Sequence, residues 1–503
     1  MLCLYFEFIL PFIKVKAILA FITITLLSFH LKRRKNLPPG PRSIPLLGNL
    51  PILAINSYRT GKEPTKLLTE MAKKYGEVFS LKIGTKLMVV VNGCGSIKEA
   101  FKNQHMNDRP ESDILKETEF DEAIGNASGK LWKYQRTFIL SAFRTFGVGR
   151  SRFEGNIIKE AETLVDEIRA KKDTPFDPHV LVGNCISNII CSVVFGKRYD
   201  HSDPEFKRLA LALSTLAADV GSGASLVFLP FAKYIFPRQY KNAISDYSVV
   251  KQVLQRHADD HQRNFDQNNI KDIIDVFLSE IDLVKKENDD RLRYINLKTL
   301  TSSAIFLFFS GSETSVTTLR WTLLYMMTYP EIQAKVQQEI DAVTGRMRMP
   351  QWADRLSLPF TEAVLMEIQR IRTVVPLGIP HVASADTKLA GYDIPEGSFI
   401  VSNIWALHND PDVWAEPEQF KPERFLDEDG KLRHREEFMT FSTGHRVCLG
   451  ENLAKMEIFL FFTYILHSFT LGKPSEMKAP SMEGISGVTF SPRSYELIAK
   501  NRK

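Results

Sequence analysis

From Leu297 to Thr328 apolar residues recur at three- and four-residue spacing, the signature of one helix face. The same period returns over Phe153 to Lys171, Ile244 to Asn264 and Glu331 to Val343. So much helical period predicts a mainly α fold. Strand signals are few. Phe79, Leu81 and Ile83 alternate with Ser80 and Lys82, Gly84-Thr85 follows, and Leu87 to Val91 is β-rich, which predicts a hairpin. A strand and turn region covers Val374 to Ser402, and Pro411 to Phe425 shows little regular pattern. The expected fold is therefore mainly α with small β-sheets.

The long helix carries a polar interruption at Ser310-Gly311-Ser312-Glu313-Thr314-Ser315, directly after the apolar Phe306 to Phe309. Glycine there costs about 1 kcal/mol relative to alanine, and Ser or Thr hydroxyls bond back to the i−4 carbonyl. A mere kink leaves the acid unexplained, so Glu313 and Thr314 are candidate functional residues.

Several chemistries are excluded early. The five cysteines (Cys3, Cys94, Cys185, Cys191 and Cys448) form no CxxC, so neither a disulfide framework nor a zinc finger is indicated. HExxH, GxxxxGK[ST] and GxSxG are absent. Gly93-Cys94-Gly95 superficially resembles a dinucleotide loop, but Lys98 stands in place of the third glycine. The charged run Lys285 to Arg291 reads as a solvated connector.

Ala17 to Leu31 is apolar and is followed by Lys32-Arg33-Arg34-Lys35. Residues 1–35 read as a membrane anchor with a basic stop-transfer block, the helix reaching back past Lys14 and Lys16 with those side chains snorkelling. Positive-inside orientation then places the remainder in the cytosol. This segment holds six basic residues against Glu7, a net +5 of the total +6. The rest of the chain is almost neutral, so a nucleic-acid partner is not expected. Leu37-Pro38-Pro39-Gly40-Pro41 reads as a stiff spacer.

The most informative segment is Phe441-Ser442-Thr443-Gly444-His445-Arg446-Val447-Cys448-Leu449-Gly450. Its glycines allow tight backbone, and it presents one cysteine just before a helix, Glu451 to Leu466. A helix N-terminus and an arginine two residues away favour thiolate. The residues alone leave three readings: a haem-iron ligand, a catalytic nucleophile or a buried structural cysteine.

This decapeptide resembles, in full, the FxxGxRxCxG signature of the cytochrome P-450 haem-thiolate monooxygenases. Four further segments fit that family in order. Trp132 and Arg136 match WxxxR, Glu367 and Arg370 match ExxR, Pro422-Glu423-Arg424-Phe425 resembles PERF, and residues 310–315 resemble (A/G)Gx(D/E)TT, departing at Ser310 and Ser315. Glu205 to Arg208 is a second ExxR without that context. The resemblance implies a single large haem-enclosing domain over residues 36–503, with haem b (iron protoporphyrin IX) as cofactor. It implies Cys448 as axial iron ligand, Phe441 packed near the sulfur, and Trp132, Arg136, His381 and Arg446 on the haem propionates. Glu367, Arg370 and Arg424 would lock the region beneath. Glu313 and Thr314 would supply protons for dioxygen cleavage.

The likeness is to the animal microsomal branch, which acts on drugs, steroids and fatty acids. It implies hydroxylation or epoxidation of a lipophilic substrate at the endoplasmic reticulum membrane, with Phe306, Phe309, Val374, Val375, Leu377 and Ile485 as pocket residues. Electrons would come from NADPH through NADPH-cytochrome P-450 reductase, with cytochrome b5 as a further donor. Lys133, Lys431, Arg433, Arg435 and His445 are candidates for docking the acidic reductase. Two rivals are a haem-thiolate isomerase or dehydratase needing no reductase, and a catalytically silent haem protein. The Glu313-Thr314 pair argues against both.

Overall fold

The computed structural model describes residues 36–222, 232–287, 290–477 and 479–502. The expected anchor over residues 1–35 lies outside them. No helix among the described residues is long and apolar enough to cross a membrane.

The predicted hairpin is strands β1 (Val78–Ile83) and β2 (Lys86–Val91), paired antiparallel from Val78 opposite Val91 to Ile83 opposite Lys86. The Gly93-Cys94-Gly95 turn does lead into a helix, Cys94–Lys102. A Cβ at Gly93 would fall 1.6 Å from Glu77 Oε1, so a carboxylate already sits against the loop. A pyrophosphate has no place there.

Helices α1 (Gly129–Phe146), α2 (Ser151–Arg169) and α3 (Pro178–Val194) follow. Helix α2 packs on α3, α3 packs along α4 (Leu297–Thr328), and all four helices contribute to one buried apolar cluster. Asn296 starts α4 with a capping box: its side chain accepts from Thr299 N at 3.0 Å, and Thr299 Oγ1 accepts from Asn296 N at 3.0 Å. Leu319, Trp321, Leu324 and Met326 on α4 are fully buried. Helix α5 (Pro359–Ile371) carries the ExxR pair, and α6 (Glu451–Ser468) begins just beyond Cys448. The predicted helices at 153–171, 244–264 and 331–343 appear as Ser151–Arg169, Pro237–Arg263 and Pro330–Thr344. One cluster of buried apolar side chains extends from Ile124 to Ala499.

Strands β3 (His381–Val382) and β4 (Phe399–Ser402) complete a four-stranded sheet in the order β1-β2-β4-β3. β2 runs parallel to β4, with Met88 opposite Phe399, while β3 is antiparallel to β4. Between Pro411 and Phe425 the only helical element is one 3-10 turn, Pro422–Phe425, as the weak pattern there suggested. In the connector at 285–291, Lys285, Lys286 and Glu287 are exposed, as their charge implied, and Arg291 is half-buried. Arg291 bonds Glu280 at 3.3 Å and also Glu287.

Candidate functional site

The cysteine loop is shaped by two residues in the left-handed region, Ser442 (φ 64°) and Gly444 (φ 75°). At Gly444 a Cβ would stand 2.2 Å from the Phe101 carbonyl oxygen, so only glycine lets the loop lie against helix 94–102. A 3-10 turn, Gly444–Arg446, follows, and the Cys448 N–H donates to Phe441 O at 3.0 Å. Phe441 and Cys448 are thereby joined through the backbone.

Cys448 is exposed by accessible surface, although protein atoms crowd round it. Burial pushes the thiol up, while the Gly450 N–H and the Arg136 charge pull it down without cancelling that effect. The expectation of a thiolate set by the helix end and Arg446 is thus corrected in two respects. The net shift is upward, and the arginine acting on the sulfur is Arg136. A coordinated metal, which deprotonates a thiol outright, supplies what the helix end does not.

Arg446 instead lies with its guanidinium carbon 3.9 Å from the centroid of the Trp132 ring, giving hydrogen bonds to Asn107 O (2.9 Å) and Ala127 O (2.6 Å). Arg136, one helical turn beyond Trp132 on α1, donates to Val447 O at 2.7 Å. A third guanidinium, Arg109, was missed by sequence reasoning. It is buried and donates to Gly125 O (2.9 Å), Ile379 O (2.8 Å) and Pro380 O (2.9 Å). Among the described residues none of the three meets a carboxylate within ion-pair distance. Burial, and then mutual repulsion with Arg136, lowers the pKa of Arg109, and burial followed by repulsion from Arg109 does the same for Arg446.

His381 is set by β3, buried, and stacked on Phe101 with ring centroids 4.1 Å apart. Its Nδ1 lies 2.6 Å from Met106 O. Burial, then Arg109, holds its pKa well below the usual histidine range. A neutral ring therefore donates from Nδ1 and leaves Nε2 as an acceptor.

On α4, Thr314 Oγ1 donates to Ser310 O at 2.7 Å, the back-bond anticipated from the sequence. Glu313 accepts from Thr317 Oγ1 (3.2 Å) and Thr489 Oγ1 (3.0 Å), and burial outweighs both bonds in raising its pKa. Ser315 reaches Glu457 Oε2 on α6 at 2.9 Å.

The ExxR pair is wholly buried. Arg370 meets Glu367 at 2.7 and 2.9 Å, and Arg424 Nε meets Glu367 Oε1 at 2.9 Å. The remaining N–H groups of both arginines find the carbonyls of His408, Pro417, Ala415, Glu416 and Gln419. The second copy behaves differently: Glu205 pairs with Arg256 at 3.1 Å. Of the basic residues expected to dock a reductase, Arg435 is committed to Val413 O and to the Trp414 ring. Lys133, Lys431, Arg433 and His445 are exposed.

The residues present fit haem. The Cys448 thiol offers an iron ligand, and two buried guanidiniums with a half-buried third, none of them in an ion pair among the described residues, call for an anionic group such as a pair of carboxylates. A helical body with such a thiol and such a cationic wall defines the haem-thiolate class. The family model described as Cytochrome P450 matches residues 38–499, and the chain belongs to that family. It is 38% identical to human Cytochrome P450 2J2 over 489 residues, 96% of this chain and 95% of that one. It is 39% identical to Cytochrome P450 2J3 of Rattus norvegicus (96% and 95%), and 35% identical to human Cytochrome P450 2U1 (94% and 90%). The protein is accordingly a haem b monooxygenase.

Proposed function

We propose that this monooxygenase hydroxylates or epoxidises an apolar carbon of a lipophilic substrate, a steroid, fatty acid or xenobiotic, at the endoplasmic reticulum membrane. NADPH-cytochrome P-450 reductase supplies the electrons, with cytochrome b5 as a further donor, and residues 1–35 anchor a single catalytic domain of residues 36–503. The observation that carries the reading is the Cys448 thiol, with Arg136 acting on it, in the same structure as a group of arginines that form no ion pair among the described residues. Haem held by Cys448 supplies the redox iron at which dioxygen is split and one oxygen atom is transferred.

The chain's own groups set the conditions. Trp132, Arg136 and Arg446, with Arg109, hold the propionate edge; His381 joins them by donating from Nε2 once a carboxylate's charge protonates its ring, and Phe441 packs by the sulfur. Glu313, with a raised pKa, retains a proton nearer neutrality than an ordinary carboxyl and passes it toward the site. Thr314, tied to Ser310 O, keeps its oxygen fixed as an acceptor and relay. Phe306, Phe309, Val374, Val375, Leu377 and Ile485 supply the apolar walls of the substrate pocket. An isomerase or dehydratase has no need of such an acid-threonine pair.

The test is turnover with reconstituted reductase. Thr314→Ala is expected to keep NADPH consumption while product falls about tenfold or more. Unchanged coupling overturns the role of Thr314. In the reduced carbonyl spectrum, Cys448→Ala is expected to lose the red-shifted thiolate band. Its persistence overturns Cys448 as ligand.

A further inference from the structure

Away from this site, α2, α3 and the turn before helix Pro204–Ser222 bring together side chains that the reaction does not use. Glu160 on α2, Cys185 on α3 and His201 in the turn each place one ligand atom within 4.8 Å of the others. Glu160 is 2% exposed and Cys185 is fully buried. Arg198 holds Glu160 Oε1, which leaves Oε2 buried and without a partner.

That oxygen lies 3.7 Å from His201 Nε2, too far for a hydrogen bond, and Nε2 is likewise buried and unpartnered. On the other side of the ring, Nδ1 is 2.8 Å from Glu167 Oε1. A carboxylate at Nδ1 fixes the proton there and turns the Nε2 lone pair to the opposite side. Two desolvated acceptors then face each other beside a thiol. Such an arrangement is costly unless a cation lies between them.

We propose that Glu160 Oε2, Cys185 Sγ and His201 Nε2 bind a divalent transition cation of the zinc type, with water in the fourth position. Thiolate and imidazole select such an ion over magnesium or calcium. Ligand bonds of about 2.0–2.3 Å set neighbouring donors about 3.3–3.8 Å apart, so a modest closure of the three side chains completes the shell. On binding, the Cys185 S–H bond is replaced by a sulfur–metal bond and one proton leaves to solvent. The three negative charges of Glu160, Glu167 and the Cys185 thiolate are met by the two positive charges of the cation and that of Arg198, which pairs with Glu160. Glu167 acts as the outer carboxylate that orients the histidine.

The other mixed cluster, His261 with Asp272 and Asp275, is different. His261 Nε2 bonds Asp272 Oδ2 at 2.7 Å, Asp272 Oδ1 accepts from Asp275 N at 3.0 Å, and Asp275 Oδ2 accepts from Lys271 N at 3.0 Å. Its donors are already used. The rival for the first cluster is a doubly protonated His201 set between two carboxylates. Burial lowers its pKa, but Glu160 and Glu167 raise it further, for a net upward shift.

The full-length haem-loaded protein, equilibrated with zinc and dialysed into metal-free buffer, decides between them by elemental analysis. About one zinc per chain is expected, with a loss of roughly tenfold or more in Cys185→Ala and His201→Gln and about tenfold weaker retention in Glu167→Gln. His261→Asn should retain the wild-type content. The reduced carbonyl spectrum certifies that each variant is folded, and wild type with His201→Gln decides if Cys185→Ala is not. Absence of bound zinc from the wild type, or equal zinc in folded Cys185→Ala or His201→Gln, overturns the site.

Discussion

At the scale of single residues, charge without counter-charge is the most informative observation. Arg109 occupies the interior near two other guanidiniums, and its Nε and Nη1 donate to carbonyl oxygens and to no carboxylate. An anionic cofactor edge relieves that repulsion, so Arg109→Met should weaken haem retention. A charge-assisted contact is worth about 1.5–3 kcal/mol, roughly ten- to a hundredfold in affinity. Haem transfer to apomyoglobin measures this, and an unchanged rate would remove Arg109 from the site. Cys448 was legible because its neighbours are local: glycines, a turn and a helix start within ten residues. Arg109 was not, because an isolated Asp-Arg-Pro in a loop has no period, and its meaning arises only when residues 109, 136 and 446 meet. For the same reason chain proximity misassigned the arginine nearest the sulfur. Arg446 is two residues away but points to Trp132, whereas Arg136 arrives on another helix.

Between elements, α4 and α6 are joined by a polar contact inside an apolar interface. Glu457 is fully buried, bonded to Ser315 through one oxygen, with the other unpartnered. Burial pushes its pKa up to about 8. Well below the ordinary carboxyl pKa of about 4.3 both folded and unfolded forms carry the proton, and the buried acid exacts no charge penalty. As pH rises from there towards about 8, the unfolded carboxyl ionises first, so stability is lost across that window. Glu457→Gln should therefore gain thermal stability relative to wild type at pH 8.5 but little at pH 4.5. A difference in melting temperature independent of pH would refute this. Helical period made both elements readable, and α4 matched its predicted bounds, Leu297 to Thr328. The short strands were seen only as a region, since two- and four-residue strands offer too little alternation to set their ends.

Across the whole molecule, the largest apolar cluster among the described residues draws side chains from Ile124 to Ala499. Loss of the thiolate Soret signature and loss of helical circular dichroism should thus coincide on heating, and separate transitions would indicate independently stable parts. A chain of 503 residues admits about three domains by length alone, and it is the ordered motifs that argue for one. The ExxR constellation contributes to this unity. Glu367 gathers Arg370 and Arg424, and these clasp carbonyls between residues 408 and 419. Its value lies in fixing one arrangement, because well-packed apolar residues could match its net stability.

The four-stranded sheet has a kinetic consequence. β2 pairs directly with β4, so residues 88 and 399 must find each other across most of the chain. Closing so long a loop costs entropy before the pairing repays it, and contacts of this separation form slowly. His381 rides on β3, whose partner strand is β4. The histidine beside the cationic wall is thus placed late in assembly, after the helices have gathered, and cofactor capture at that edge becomes an event that closes folding.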